Sequence, residues 1–172
     1  METSPMRTVA LIIFIIASIT DYVDGYWARR YNLITNFGKL MDPLVDKIMM
    51  SAAFICLIPI GMVPAWAAIV IISREFTITG LRLLAAAQGS VLPAEKLGKH
   101  KTTWQMITVI FLLFLHSLKD WEYFRTGDLG EHWIPLAVQY GGNLLLAIAV
   151  ILTLYSGLGY LWKNRDLLLQ DI

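Results

Sequence analysis

The stretch Thr8-Val9-Ala10-Leu11-Ile12-Ile13-Phe14-Ile15-Ile16-Ala17-Ser18-Ile19-Thr20-Asp21-Tyr22-Val23-Asp24-Gly25-Tyr26-Trp27-Ala28-Arg29 decides the fold. A membrane helix needs about 20 mostly apolar residues. Thr8 to Thr20 is short of that by itself. No Gly-Pro break follows it, so the helix is expected to continue through Asp21 towards Arg29 and to carry two carboxylates with it. No small-residue cleavage site marks the stretch as a removed signal.

Four more apolar stretches lie downstream, roughly Pro43 to Ile60, Pro64 to Ala87, Thr102 to Leu118 and Ile134 to Trp162. The third of the five stretches is long enough to span but carries Arg74, Glu75 and Arg82. The composition agrees with this count. Hydrophobic residues make up 57% of the 172-residue chain and charged residues 16%, against about 25% charged in an ordinary soluble domain. Mean hydropathy is +0.61. These values exclude disorder and argue against a water-soluble globule. The net charge of +1 gives no sign of a nucleic-acid binder. One cysteine, Cys56, excludes an intrachain disulfide framework and a thiolate metal cluster; it reads as a small apolar filler in a helix. The expected fold is all-α: a single integral membrane domain over residues 1–172, a polytopic bundle of five spans.

Turn signals separate the spans. Ile60-Gly61-Met62-Val63-Pro64 is a tight uncharged turn, Gln88-Gly89-Ser90 opens a loop ending near Gly98, and Lys119 to Trp133 is a polar loop. Basic residues orient them. Arg29, Arg30, Lys39 and Lys47 surround the first connection, Arg82, Lys96, Lys99 and Lys101 the third, and Lys163 and Arg165 follow the last helix. These ends are expected to face the cytoplasm. Five spans with a cytoplasmic C-terminus put the N-terminus outside; one further upstream helix would return it.

The informative charges lie at Asp21 and Asp24, spaced i, i+3, and at Asp42 and Asp46, spaced i, i+4. Each pair occupies one helix face, at the cytoplasmic ends of two adjacent helices joined by a short loop. A charged Asp near a membrane helix centre costs about 2.5–3.5 kcal/mol on insertion scales, and less near an end. Four gathered carboxylates also repel one another. Bound divalent cations are the natural compensation, since hard carboxylate oxygens suit Mg2+ or Mn2+. Two ions among four Asp would form a clamp for phosphoryl chemistry. Gly25 and Ala28 share the carboxylate face of the first helix and leave room for a ligand; Gly38, one turn before Asp42, does so on the second.

The pattern Asp21-x2-Asp24-Gly25-x2-Ala28-Arg29-x8-Gly38-x3-Asp42-x3-Asp46 resembles the signature of the CDP-alcohol phosphotransferases, with every position present at the right spacing. The resemblance implies an integral membrane enzyme that moves a phosphatidyl or similar group from a CDP-linked donor to an alcohol and releases CMP. It implies that Asp21, Asp24 and Asp42 are metal ligands, that Asp46 is the general base and a further ligand, and that Asp21, Asp24, Gly25, Ala28, Arg29 and Gly38 line the CDP site. Two further segments, Arg74-Glu75-Phe76-Thr77-Ile78-Thr79-Gly80-Leu81-Arg82 and Lys96-Leu97-Gly98-Lys99-His100-Lys101-Thr102, look like the bacterial phosphatidylglycerophosphate synthases. That subgroup implies CDP-diacylglycerol as donor, glycerol 3-phosphate as acceptor, a homodimer, and a place in the bacterial cytoplasmic membrane with the active site facing the cytoplasm. Members usually have six membrane helices, so this chain is expected to be N-terminally short.

A cation inside a span is a functional hypothesis by default. Arg74 and Arg82, eight residues apart on nearly one face, together with Lys99 and Lys101, are the candidate ligands for the acceptor phosphate. The plainer alternatives are an ion pair of Arg74 with Glu75, and ordinary anchoring by the two lysines. His100, His116 and His132 lack metal-ligand spacing. Trp66, Trp104, Trp121, Trp133 and Trp162 fall near span ends, as interfacial anchors do. Three rival readings stand beside the main one: another acceptor (inositol phosphate or phosphatidylglycerol), a divalent-cation transporter, and an inactive partner subunit that kept the motif.

Overall fold

Continuity of the opening stretch into its acidic tail is realised in the computed structural model: α1 (Met6–Arg30) runs unbroken through Asp21 and Asp24. The structure describes residues 6–31, 36–87, 96–121 and 132–165. Within those helices, the side chains of residues 36–43 and 96–100 and those of Asp21, Tyr22, Gly25, Ala28, Arg29, Ala87 and Lys119 lie outside the description. The other helices are α2 (Asn36–Leu57), α3 (Ala65–Ala87), α4 (Lys96–Ser117) and α5 (Ile134–Lys163). No strand occurs among the described residues. Both α2 and α4 begin ahead of the apolar stretches at Pro43 and Thr102. Their first turns hold charged residues, and helix formation at a polar end does not require an apolar sequence.

The turn between α2 and α3 lies where Gly61 predicts it. Gly61 takes φ +74°, a left-handed conformation that glycine adopts without strain, and its N–H donates to the Ile58 carbonyl at 2.9 Å. After α4 a short 3-10 turn, Leu118–Asp120, ends the run. Part of the expected polar loop, residues 122–131, lies outside the described residues, as does the loop at 88–95. Within α5 the segment Ala137–Gly142 is π-helical.

The helices run up and down. The main contacts are α4 with α5, α1 with α4 and α3 with α5, and α4 also touches α2. One core cluster joins Phe14 of α1, Phe54 of α2, Ile71 of α3, Leu112 of α4 and Val150 of α5. A smaller cluster, Ile78 and Leu81 of α3 with Tyr160 of α5, lies nearer the basic end. The α4–α5 seam also holds a buried polar pair: Gln105 donates Nε2–H to Thr153 Oγ1 at 2.9 Å.

The outward faces are apolar as well. Ile12, Ile13 and Ile16 of α1, Val45 and Ile48 of α2, Ile69 of α3, and Leu144, Ile151 and Leu158 of α5 are all exposed. Cys56 is on an exposed face of α2 and fills no core. Trp66, Trp121 and Trp133 are exposed at one end of the bundle and Trp27 and Trp162 at the other. By length and composition alone, α5 is the one helix among the described residues that passes as a membrane span; the apolar part of α1, Met6–Thr20, is shorter. The remaining helices break their apolar runs with the charges on which the functional reading depends.

Asp120 ties the far end together. It accepts from the Thr8 backbone N–H at 2.8 Å and from Thr8 Oγ1 at 2.9 Å, and Arg7 Nε lies 3.7 Å from it. Thr8 is in the first turn of α1, where backbone N–H groups lack helical partners. A carboxylate there both caps the turn and opposes the helix dipole. Asp120→Ala is expected to lower stability by about 1–2 kcal/mol. Asp120→Asn, which still accepts from Thr8, should lower it less. Thermal unfolding of the detergent-solubilised protein measures both.

Candidate active site

The basic half of the bundle collects charge from three helices. Asp46 and Lys47 come from α2, Arg74, Glu75 and Arg82 from α3, and Lys101 from α4. Asp46 and Lys47 are half-buried, Arg82 is exposed and Lys101 is buried.

Glu75 is the hinge of this cluster. Its Oε1 pairs with Lys101 Nζ, linking α3 to α4, and with Arg74 Nη1 at 3.4 Å. The ion pair weighed as the plain alternative for Arg74 is therefore formed. It leaves the guanidinium with other donors, and Arg74 Nη2 donates to Ser156 Oγ of α5 at 3.1 Å. Guanidinium groups of this kind bind a dianionic phosphate through paired N–H donors.

The sequence-derived site residues divide accordingly. Arg74 and Lys101 come together on Glu75, while Asp46 lies on α2 and Arg82 two turns beyond Arg74 on α3. Asp24 is exposed near the C-terminal end of α1, at the same end of the bundle. The helical backbone carries Asp21, Gly25, Ala28 and Arg29 on α1, Gly38 and Asp42 on α2, and Lys99 on α4, but their side chains lie outside the described residues. No group of three or more His, Cys, Asp or Glu gathers among the described residues; of the four aspartates, that search covers Asp24 and Asp46. A donor set made of carboxylates, at i, i+3 on α1 and i, i+4 on α2, fits a hard divalent cation.

Sequence reading missed Ser156, Gly157 and Thr153 on α5. Their signal was present: small and polar residues one turn apart in an otherwise apolar helix mark a helix-packing face.

Residues 2–155 match the family described as CDP-alcohol phosphatidyltransferase. The chain is 47% identical over 168 residues to a Bacillus subtilis (strain 168) protein named CDP-diacylglycerol--glycerol-3-phosphate 3-phosphatidyltransferase, covering 97% of this chain and 79% of that protein. Relatives with the same name are 43% identical over 129 residues in Mycoplasma pneumoniae, covering 75% of this chain and 57% of the relative, and 35% identical over 158 residues in Rickettsia bellii, covering 91% and 80%.

The shared carboxylate makes a testable demand on stability. Glu75→Gln leaves Lys101 and Arg74 as buried neighbouring cations, and is expected to destabilise by about 3 kcal/mol. Adding Lys101→Met should recover part of that loss, giving a non-additive double-mutant cycle in thermal or denaturant unfolding.

Proposed function

The chain belongs to the CDP-alcohol phosphatidyltransferase family, and we propose that it moves the phosphatidyl group of CDP-diacylglycerol to glycerol 3-phosphate, giving phosphatidylglycerophosphate and CMP in phospholipid synthesis. Glycerol 3-phosphate is the acceptor in the name of each relative quoted, which favours it over inositol phosphate or phosphatidylglycerol and over cation transport. The observation that carries the reading is the convergence of Arg74 of α3 and Lys101 of α4 on Glu75, in a bundle whose α1 and α2 carry the aspartates of the family pattern.

In this mechanism the phosphate of glycerol 3-phosphate is held by Arg74, Arg82, Lys99 and Lys101. That grip aims the primary hydroxyl at Asp46, which takes its proton. The freed oxygen attacks the phosphorus next to diacylglycerol in line, and the bond from that phosphorus to CMP breaks. Asp21, Asp24, Gly25, Ala28, Arg29 and Gly38 line the CDP site. Asp21, Asp24, Asp42 and Asp46 would hold Mg2+ or Mn2+, two ions in all; such ions, when bound, neutralise charge building on the phosphoryl oxygens.

The bundle is proposed to sit in the bacterial cytoplasmic membrane as a polytopic dimeric protein, with its basic end to the cytoplasm. Exposed Ile, Val and Leu on α1, α2, α3 and α5 support this. A soluble monomer rarely shows contiguous apolar surface beyond a few hundred Å². Tryptophans at both ends match the interfacial positions such residues favour.

The decisive assay incubates membranes containing the protein with CDP-diacylglycerol, Mg2+ and labelled glycerol 3-phosphate, and reads label in the lipid phase alongside free CMP. Asp46→Asn is expected to abolish both signals while the protein still accumulates in membranes. Near-normal turnover by that variant would remove Asp46 from the role of base.

A further inference from the structure

Arg74 does not hold its position alone. On α5, Ser156 is buried and its Oγ accepts from Arg74 Nη2 at 3.1 Å. The next residue, Gly157, leaves the gap through which the arginine runs. A Cβ built on Gly157 would stand 2.8 Å from Arg74 Cγ, 3.2 Å from Nε and 3.6 Å from Cδ. The closest of these atoms is at the root of the side chain, so the arm has no free end to swing aside. Any side chain at residue 157 must displace the whole guanidinium. By contrast, a Cβ on Gly159, two residues further along the same helix, meets nothing within 4 Å. One face of α5 is thus shaped to Arg74, and the opposite face is not.

We infer that Ser156 and Gly157 are positioning residues for the acceptor: they seat Arg74 so that its guanidinium meets the phosphate of glycerol 3-phosphate. Glu75 pulls on Nη1 from the α3 side while Ser156 takes Nη2 from the α5 side, and Gly157 sets how deep the stem lies. The last helix, which carries none of the family's aspartates, thereby takes part in acceptor recognition. This rests on the acceptor reading above.

The test is steady-state kinetics of the full-length protein in membranes, varying each substrate in turn. Gly157→Ala is expected to raise KM for glycerol 3-phosphate by about tenfold or more, and Ser156→Ala by roughly threefold. KM for CDP-diacylglycerol should stay within about twofold in both. Ser156→Thr, which keeps the hydroxyl, should return KM towards the wild-type value, and Gly159→Ala should match wild type throughout. A parallel Arg74→Ala separates the two ideas. If it raises the acceptor KM while the residue 156 and 157 variants do not, the seat is refuted and the acceptor site stands. If Arg74→Ala leaves that KM unchanged, the acceptor reading falls and takes the seat with it. A joint loss of kcat and a rise in both KM values, with no rescue by Ser156→Thr, would mean a purely structural role and would also refute the inference. Should Gly157→Ala fail to accumulate, the Ser156 pair decides the matter alone.

Discussion

Charge inside an apolar bundle must be matched, and the pairing of Glu75 with both Arg74 and Lys101 is where this protein meets that demand. Without the carboxylate, two cations from neighbouring helices would face each other with little solvent between them. With it, α3 and α4 are joined through one shared carboxylate. The same contact therefore closes the bundle and assembles the anion-binding side of the proposed site.

Much of the fold was legible because the governing signal is long and redundant. The apolar runs at Thr8–Thr20, Pro64–Ala87 and Ile134–Trp162 correspond to α1, α3 and α5, and the positive φ of Gly61 stands at the turn its sequence announced. The starts of α2 and α4 were less legible. There the helix extends into charged sequence, and hydropathy cannot distinguish a polar helical turn from a polar loop. Of the site, the aspartate spacing and the cations of α3 and α4 were readable as one-dimensional patterns. On α5 the small and polar residues were readable as a packing face, but their partner was not, because local periodicity does not say that the side chain they accommodate is Arg74, 82 residues away from Ser156.

The far end follows a different logic. Asp120 reads in the sequence as one more acid in a polar loop, yet it is bound to Thr8 at the head of α1. Apolar packing through Phe14, Phe54, Ile71, Leu112 and Val150 occupies the middle of the bundle. Among the described residues, polar side-chain contacts between helices lie at Asp120, at the Gln105–Thr153 pair and around Glu75. A bundle built this way tolerates unusual charge at one end because the opposite end and the centre hold the helices in register.

The tryptophans at the two ends have a consequence for kinetics. If they float the protein at a fixed height in lipid, a donor with two acyl chains reaches the aspartates by sliding sideways within one leaflet, and the new lipid departs by the same route. The relevant abundance of that donor is then its mole fraction in the leaflet, whereas the acceptor arrives from water at an ordinary molar concentration. The proposed enzyme would then work at the meeting of a two-dimensional and a three-dimensional reservoir, and diluting the bilayer with inert lipid would slow it even with total donor held constant.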